Sequence, residues 1–219
     1  MNTLPKLQQL TDPQHLSNYS ALYEQSSGLP IPVAYLHNPE NRVFGIIRKE
    51  KLVGGFILGA SSWLRTVEVF AAPKDQHAVD EMAGTSGART EITCFWIAAS
   101  VRREVMVNRF TWVAMIYAIA RYAKPILVFG TCSRGLARLY ATSQHATLIH
   151  RDRINNKPVF IFMGLKSKAV LGIGNILAYK STWKWNPLRL LRKPGATGLT
   201  AMLKELKQSD GWLADGRRA

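Results

Sequence analysis

Hydrophobic and polar positions alternate along this chain in blocks of two distinct periods, and the blocks set an order of elements. Asp12-Pro13 followed by apolar residues at helical spacing as far as Tyr23 predicts a helix with Asp12 at its N-cap and proline in its first turn, stopped by Gly28-Leu29-Pro30. From residue 42 the period shortens. Val43-Phe44-Gly45-Ile46-Ile47-Arg48 and Leu52-Val53-Gly54-Gly55-Phe56-Ile57-Leu58 flank Lys49-Glu50-Lys51, which predicts a hairpin. Residues 72–88 are rich in charge, glycine and small side chains and predict an exposed loop with one irregular helix at most. Residues 90–98 are almost continuously apolar or β-forming, as expected of a strand inside a sheet. Residues 104–123 carry Val107, Phe110, Val113, Met115, Ile116, Ile119, Ala120 and Ala123 at helical spacing until Lys124-Pro125 ends the run, predicting the longest helix. Residues 126–129 read as a buried strand and 134–144 as a short helix. Residues 147–149 and 159–163 read as a last hairpin about Asn155-Asn156.

The strand, helix, strand passage from 90 to 129 requires a right-handed crossover between parallel strands, whereas the hairpins require antiparallel pairing. The expected class is therefore α/β, with an α+β mixed sheet covered by helices. At 219 residues and 47% apolar content the chain suffices for one domain with an ordinary core. Apolar runs stop well short of the roughly 18 residues of a membrane span, and Met1-Asn2-Thr3-Leu4-Pro5-Lys6 lacks a basic stretch leading into an apolar one. The default expectation is a cytoplasmic protein. Cys94 and Cys132 have no second Cys or His at ligand spacing and are expected to be structural thiols, with no metal site or disulfide.

Charge adds a partner to this picture. The formal net charge is +15, and residues 151–219 carry 14 Lys and Arg against 4 Asp and Glu, a net +10. Such a bias attracts nucleic acid, an anionic membrane face, an acidic protein or a phosphorylated cofactor.

The order of elements over roughly residues 10–165 resembles the GNAT acyltransferase superfamily. The most specific match is Gly135-Leu136-Ala137-Arg138-Leu139-Tyr140-Ala141-Thr142-Ser143-Gln144-His145, which is similar to the family's short helix after the fifth strand, where an alanine precedes a Leu-Tyr pair. The resemblance implies a GNAT-like domain over residues 1–165 and a basic C-terminal extension, 166–219, packed on or capping it. It also implies an N-acyltransferase, moving an acyl group from a pantetheine thioester to a primary amine. Tyr140 would be the acid toward the departing thiolate, since a phenol with a reference pKa of about 10 is protonated at neutral pH. Without the resemblance, it is simply a half-buried aromatic on an amphipathic helix. A cradle for the pantetheine arm would fall on Phe95, Trp96 and Ile97. Glu91, on the same strand, is a candidate general base, with a strand-end surface carboxylate as the alternative.

One family feature is altered. The turn that wraps the pyrophosphate of coenzyme A, Arg/Gln-x-x-Gly-x-Gly/Ala, is represented by Arg102-Arg103-Glu104-Val105-Met106-Val107. Valines at both glycine positions crowd a phosphate and resist positive φ, which leaves Arg102, Arg103 and Arg109 as candidate phosphate ligands through their side chains. The expected donor is then an acyl-phosphopantetheine arm on an acidic acyl carrier protein, or a weakly held acyl-CoA, carrying a medium or long fatty acyl chain. The expected acceptor is an amino acid or a peptide Lys or Orn side chain. Two alternatives stand beside this reading: a non-catalytic GNAT-like protein that binds nucleic acid or a membrane, and a short-chain acetyl-CoA-dependent N-acetyltransferase. Nucleic acid is the less favoured partner, while peripheral membrane contact stays open. In the extension, Leu171-Gly172-Ile173-Gly174-Asn175 is weak as a phosphate loop. Residues 179–193 mix aromatic, leucine and basic side chains, which suit a lid over a lipid chain, an interfacial contact, a stacking surface or a packing arm.

Overall fold

The computed structural model describes residues 4–83, 87–154 and 157–172. Strand β1 (Lys6–Leu10) precedes helix α1 (Pro13–Ser27), whose first turn is held by Asp12 Oδ1 accepting from the N–H groups of Gln14 and His15 at 2.9 and 3.1 Å. Gly28, in the left-handed region at φ 74°, ends the helix by donating to the carbonyl of Glu24. Then follow α2 (Val33–Leu36), β2 (Arg42–Arg48), β3 (Lys51–Gly59), α3 (Arg65–Phe70), α4 (Gln76–Met82), β4 (Arg89–Ile97), α5 (Val105–Tyr122), β5 (Ile126–Thr131), α6 (Arg134–Ser143), β6 (Thr147–Ile154) and β7 (Lys157–Leu165). The seven strands form one sheet in the order β1-β2-β3-β4-β5-β7-β6, parallel only between β4 and β5. The mixed sheet expected from the sequence is present. It is extended by β1, and α4 is the one helix among the described residues of 72–88.

Alternation along the strands separates two helical layers. Phe44, Phe56, Leu58, Leu127, Phe129, Phe160 and Phe162 point to the face covered by α5 and α6, where Phe110, Ala114, Ala118 and Ile119 are buried against them. Val43, Ile57, Val128 and Ile161 point to the opposite face, covered by α1 to α4.

The alternation breaks in β4. Between the pairs Gly55↔Trp96 and Ile57↔Thr93, one residue of β3, Phe56, faces two of β4, Cys94 and Phe95, and Cys94 sits there at φ 52°. This one-residue bulge reverses the phase of the strand. Cys94 and Trp96 pack among the residues under α1, while Phe95 lies 5.6 Å from the ring of Trp112 on α5. Just before the bulge β4 also leaves its parallel partner. The β4–β5 ladder runs only from Arg89↔Ile126 to Ile92↔Phe129, and the strands part beyond it, while Gly130 and Thr131 stay paired to β7.

After β7, residues 166–172 are helical and pack on the domain. Lys166 donates its N–H to the carbonyl of Pro125 and its Nζ to that of Ala123, at the end of α5, and Ala169 is buried in the core. The Asn155-Asn156 turn, the glycines beyond Gly172 and residues 179–193 lie outside the described residues. Among the described residues no helix is long and apolar enough to cross a membrane.

Candidate active site

Where β4 and β5 part there is a cavity of about 270 Å³ with walls from both helical layers. Ile92 to Phe95 and Phe129 to Cys132 form its waist. Tyr23, Arg65 and Thr66 line one end, from the α1 and α3 layer, while Trp112, Met115, Leu136 and Tyr140 line the other, from α5 and α6.

Tyr140 is placed by α6, which starts at Ser133, whose Oγ accepts from the N–H of Leu136 at 3.3 Å. Leu136, Tyr140 and Gln144, at i, i+4 and i+8, all reach the cavity. The Tyr140 ring stands edge-on to Phe129 at 4.9 Å and to Phe162 at 5.8 Å, and its hydroxyl makes no hydrogen bond among the described residues. Burial pushes the phenol up to about 12. It stays protonated throughout the neutral range and is a poor donor of a whole proton. Complete transfer to a thiolate of cysteine-like pKa, about 8.5, runs uphill by roughly 5 kcal/mol. What this group can supply is a hydrogen bond that strengthens as negative charge grows on sulfur.

Glu91 is not placed as a base. It is fully enclosed, and its oxygens accept from the Tyr35 hydroxyl at 2.6 Å, from the N–H of Arg65 at 3.0 Å and from the N–H of Thr66. Helix α3 has no side-chain cap of its own, and this carboxylate supplies one from β4. Desolvation raises its pKa, with the hydrogen bonds opposing that rise, and it does not line the cavity.

Of the three residues expected along a pantetheine arm, Phe95 lines the cavity and is partly exposed at 37%. Trp96 turns to the α1 layer, 6.2 Å from Tyr19, and Ile97 is buried under α5. The bulge at Cys94 produces this division. Cys94 is buried and burial pushes its thiol up to about 12, while its carbonyl accepts from the Tyr19 hydroxyl at 2.8 Å. Cys132 is exposed and also lines the cavity, with its thiol raised chiefly by desolvation. Asp75, His150 and Asp152 bring potential ligand atoms within 4.8 Å of one another outside the cavity. Among the described residues the cavity walls hold no such group.

No protein-family model matches the sequence, and no curated protein matches it. Solved structures do match. FeeM, an N-acyl amino acid synthase from uncultured soil microbes, superposes with a TM-score of 0.55 at 14% identity, covering 75% of this chain and 92% of that one. MesI, a CoA-dependent acyl-homoserine lactone synthase, gives 0.52 at 14% identity, over 79% and 95%. The ribosomal-protein-S18-alanine N-acetyltransferase of Escherichia coli gives 0.50 at 9% identity, over 74% and 94%. The chain has the GNAT acyltransferase fold.

The turn between β4 and α5, expected from the sequence to lie at a phosphate, is held in part by its own backbone, and the first turn of α5 has no side-chain cap. The N–H groups of Val101 and Arg102 both bond the carbonyl of Ala98, and that of Glu104 bonds Val101. The Glu104 carboxylate, at the N-cap of α5, is paired with Arg48. Arg102 donates to the carbonyl of Ile97 at 3.1 Å, Arg103 is exposed and Arg109 is half-buried on α5. Val105 and Met106 are exposed, and Val107 is buried. None of the three arginines lines the cavity. Sequence reasoning missed Arg65, Tyr23, Thr66 and Gln144 as cavity residues. Nothing local marks Arg65, a single cation between Leu64 and Thr66, as anything but a helix-surface charge.

Proposed function

We propose that this chain is an N-acyltransferase that receives a pantetheine thioester in the gap between β4 and β5 and passes its acyl group to a primary amine arriving from the α1 and α3 layer. The observation that carries the proposal is the parting of the two parallel strands at a bulge, with a hydrogen-bond donor, Tyr140, free on one wall. Unpaired backbone N–H groups on such a strand edge suit a thioester arm and its carbonyl oxygen, which gains negative charge as the amine adds. The C–N bond forms, the C–S bond breaks, and the sulfur leaves as a thiolate accepting a hydrogen bond from Tyr140. The amine enters neutral and releases its proton to water, because Glu91 is committed to α3. Cys94, a neutral buried thiol, takes no covalent part.

For the donor, the valines at 105 and 107 and the Glu104 carboxylate at the N-cap of α5 disfavour a pyrophosphate, and Arg102, Arg103 and Arg109 suit a single phosphodiester. A carrier-bound phosphopantetheine, with the net +15 chain meeting an acidic carrier, fits better than tight acyl-CoA binding. The walls given by Phe95, Trp112, Met115 and Leu136 are apolar and suit an acyl group longer than acetyl. Incubation of the purified protein with acyl thioesters of different length, free and carrier-bound, tests the proposal through amine-dependent thiol release. Its absence with every donor removes the acyltransferase reading, and a salt-dependent shift on RNA in its place supports a nucleic-acid-binding protein.

A further inference from the structure

At the end of the cavity opposite Tyr140 sits a cation with no protein anion. Arg65 is 3% exposed and lines the cavity. Its Nη2 donates to the carbonyl of Pro30, its Cζ lies 5.6 Å over the Tyr23 ring, and its Nε is buried with no hydrogen-bond partner. Among the described residues it forms no salt bridge. The one carboxylate in contact with the same residue, Glu91, binds its backbone N–H rather than its guanidinium, and spends its remaining capacity on Thr66 and Tyr35. The other polar groups on this part of the wall, Tyr23 and Cys94, are held neutral by burial.

A guanidinium withdrawn from water is costly unless something supplies the charge and acceptors it has lost. Arg also presents a planar fork of donors that matches a carboxylate. The position gives the missing anion a role. The cavity joins the two helical layers through the parted strands, so a ligand held at Arg65 faces the same space as Tyr140.

We propose that Arg65 binds the carboxylate of the acyl acceptor, which makes that acceptor an amine with a carboxylate a few bonds from its nitrogen, as in an α-amino acid. This rests on the acyltransferase reading for its chemistry, but not for its binding. The enclosed wall selects against a peptide-internal lysine, which brings no free carboxylate near its amine. Arg65 is a positioning residue in this account: it fixes the acceptor and does not touch the reacting bond.

The test pairs each amino acid with its carboxamide. With unaltered protein and a thioester donor, kcat/KM for the acid should exceed that for the amide by about 10²-fold, the scale of a charge-assisted contact made or lost. In Arg65→Gln that ratio should collapse toward one through loss of the acid's rate. Arg65→Lys, which keeps the charge without the fork, should recover part of it. Calorimetric binding of the same acid and amide provides a readout that needs no turnover. A preference for the acid in binding, lost in Arg65→Gln, upholds the carboxylate site even if no thiol is released, and then only the transferase reading fails. If unaltered protein handles acid and amide alike in both rate and binding, the inference is overturned, whether or not the Arg65 variants fold.

Discussion

At the scale of single residues, the site separates groups that can act from groups that are merely buried. Tyr140 and Glu91 are both titratable and enclosed, yet one has an unbonded hydroxyl at a cavity and the other has its oxygens fully used. Tyr140→Phe is expected to lower turnover by about 10²-fold without loss of fold, the lower end for an acid or donor at the leaving group. Because its pKa is raised to about 12, the protonated form persists across the working range. Activity should climb as the amine deprotonates, above the roughly pH 8 of a peptide α-amino group because the acceptor's own carboxylate stabilises its ammonium, and show no descending limb by pH 10. A fall setting in at or below pH 10 would remove Tyr140 from the role. For Glu91→Gln the expectation is reversed. An amide cannot accept from all three donors, which costs about 1–3 kcal/mol and lowers Tm by roughly 3–10 °C, while turnover per folded molecule stays within a few-fold. Large loss of turnover with Tm unchanged would restore Glu91 as a base. The sequence marked Tyr140 through its neighbours on α6, but no pattern shows whether a strand carboxylate faces a cleft or a helix end. That depends on α3, whose cap comes from residue 91, far along the chain.

At the scale of elements, long periodic segments were legible and short ones were not. Helix α5 and strands β2 to β5 form where their hydrophobic runs lie, although α5 also buries Trp112, Ala114 and Ala118 outside the expected positions and leaves Ala120 exposed. Strand β1 has five residues with Gln8 and Gln9 between its leucines, and α2 has only four residues. Helix α3 has six residues and no local capping signal, so its stability comes from Glu91 and from packing of Val67. The bulge was also hidden, since cysteine carries no preference for positive φ and Cys94 is held there by its surroundings. The β4–α5 turn was read from its valines, of which Val105 is exposed and Val107 buried. Replacing Arg102 and Arg103 together by Ala should raise KM for the thioester more than it lowers kcat, because a phosphate contact is equally strong in the ground and transition states. Unchanged donor affinity would place the phosphate elsewhere.

At the scale of the whole molecule, the cavity has walls from both helical layers, and the proposed function assigns one side to the donor and the other to the acceptor. On that proposal the acyl group takes the apolar α5 and α6 side, and its length is set by how far that side extends. Of the α5 residues expected to face an alkyl chain, Met115 lines the cavity, Phe110 and Ile119 are in the core, and Val113 and Ile116 are half-buried. Periodicity alone does not tell a lining residue from a core residue. At about 0.8 kcal/mol per buried methylene, a few extra carbons against Phe95, Trp112 and Met115 outweigh the preference of an acetyl-sized site. The optimum donor is expected to exceed acetyl, and kcat/KM highest with acetyl and falling with each added carbon would refute that.

The central claim is direct transfer across the gap between β4 and β5, and single-turnover mass spectrometry tests it most directly. A labelled acyl thioester is mixed with excess protein and an amine, quenched at intervals, and both the small molecules and the intact protein are weighed. The account predicts N-acyl product forming as free thiol appears, with the protein mass unchanged at every time. Label accumulating on the protein before product, at Cys132 or Cys94, or no transfer to the amine at all, would contradict it.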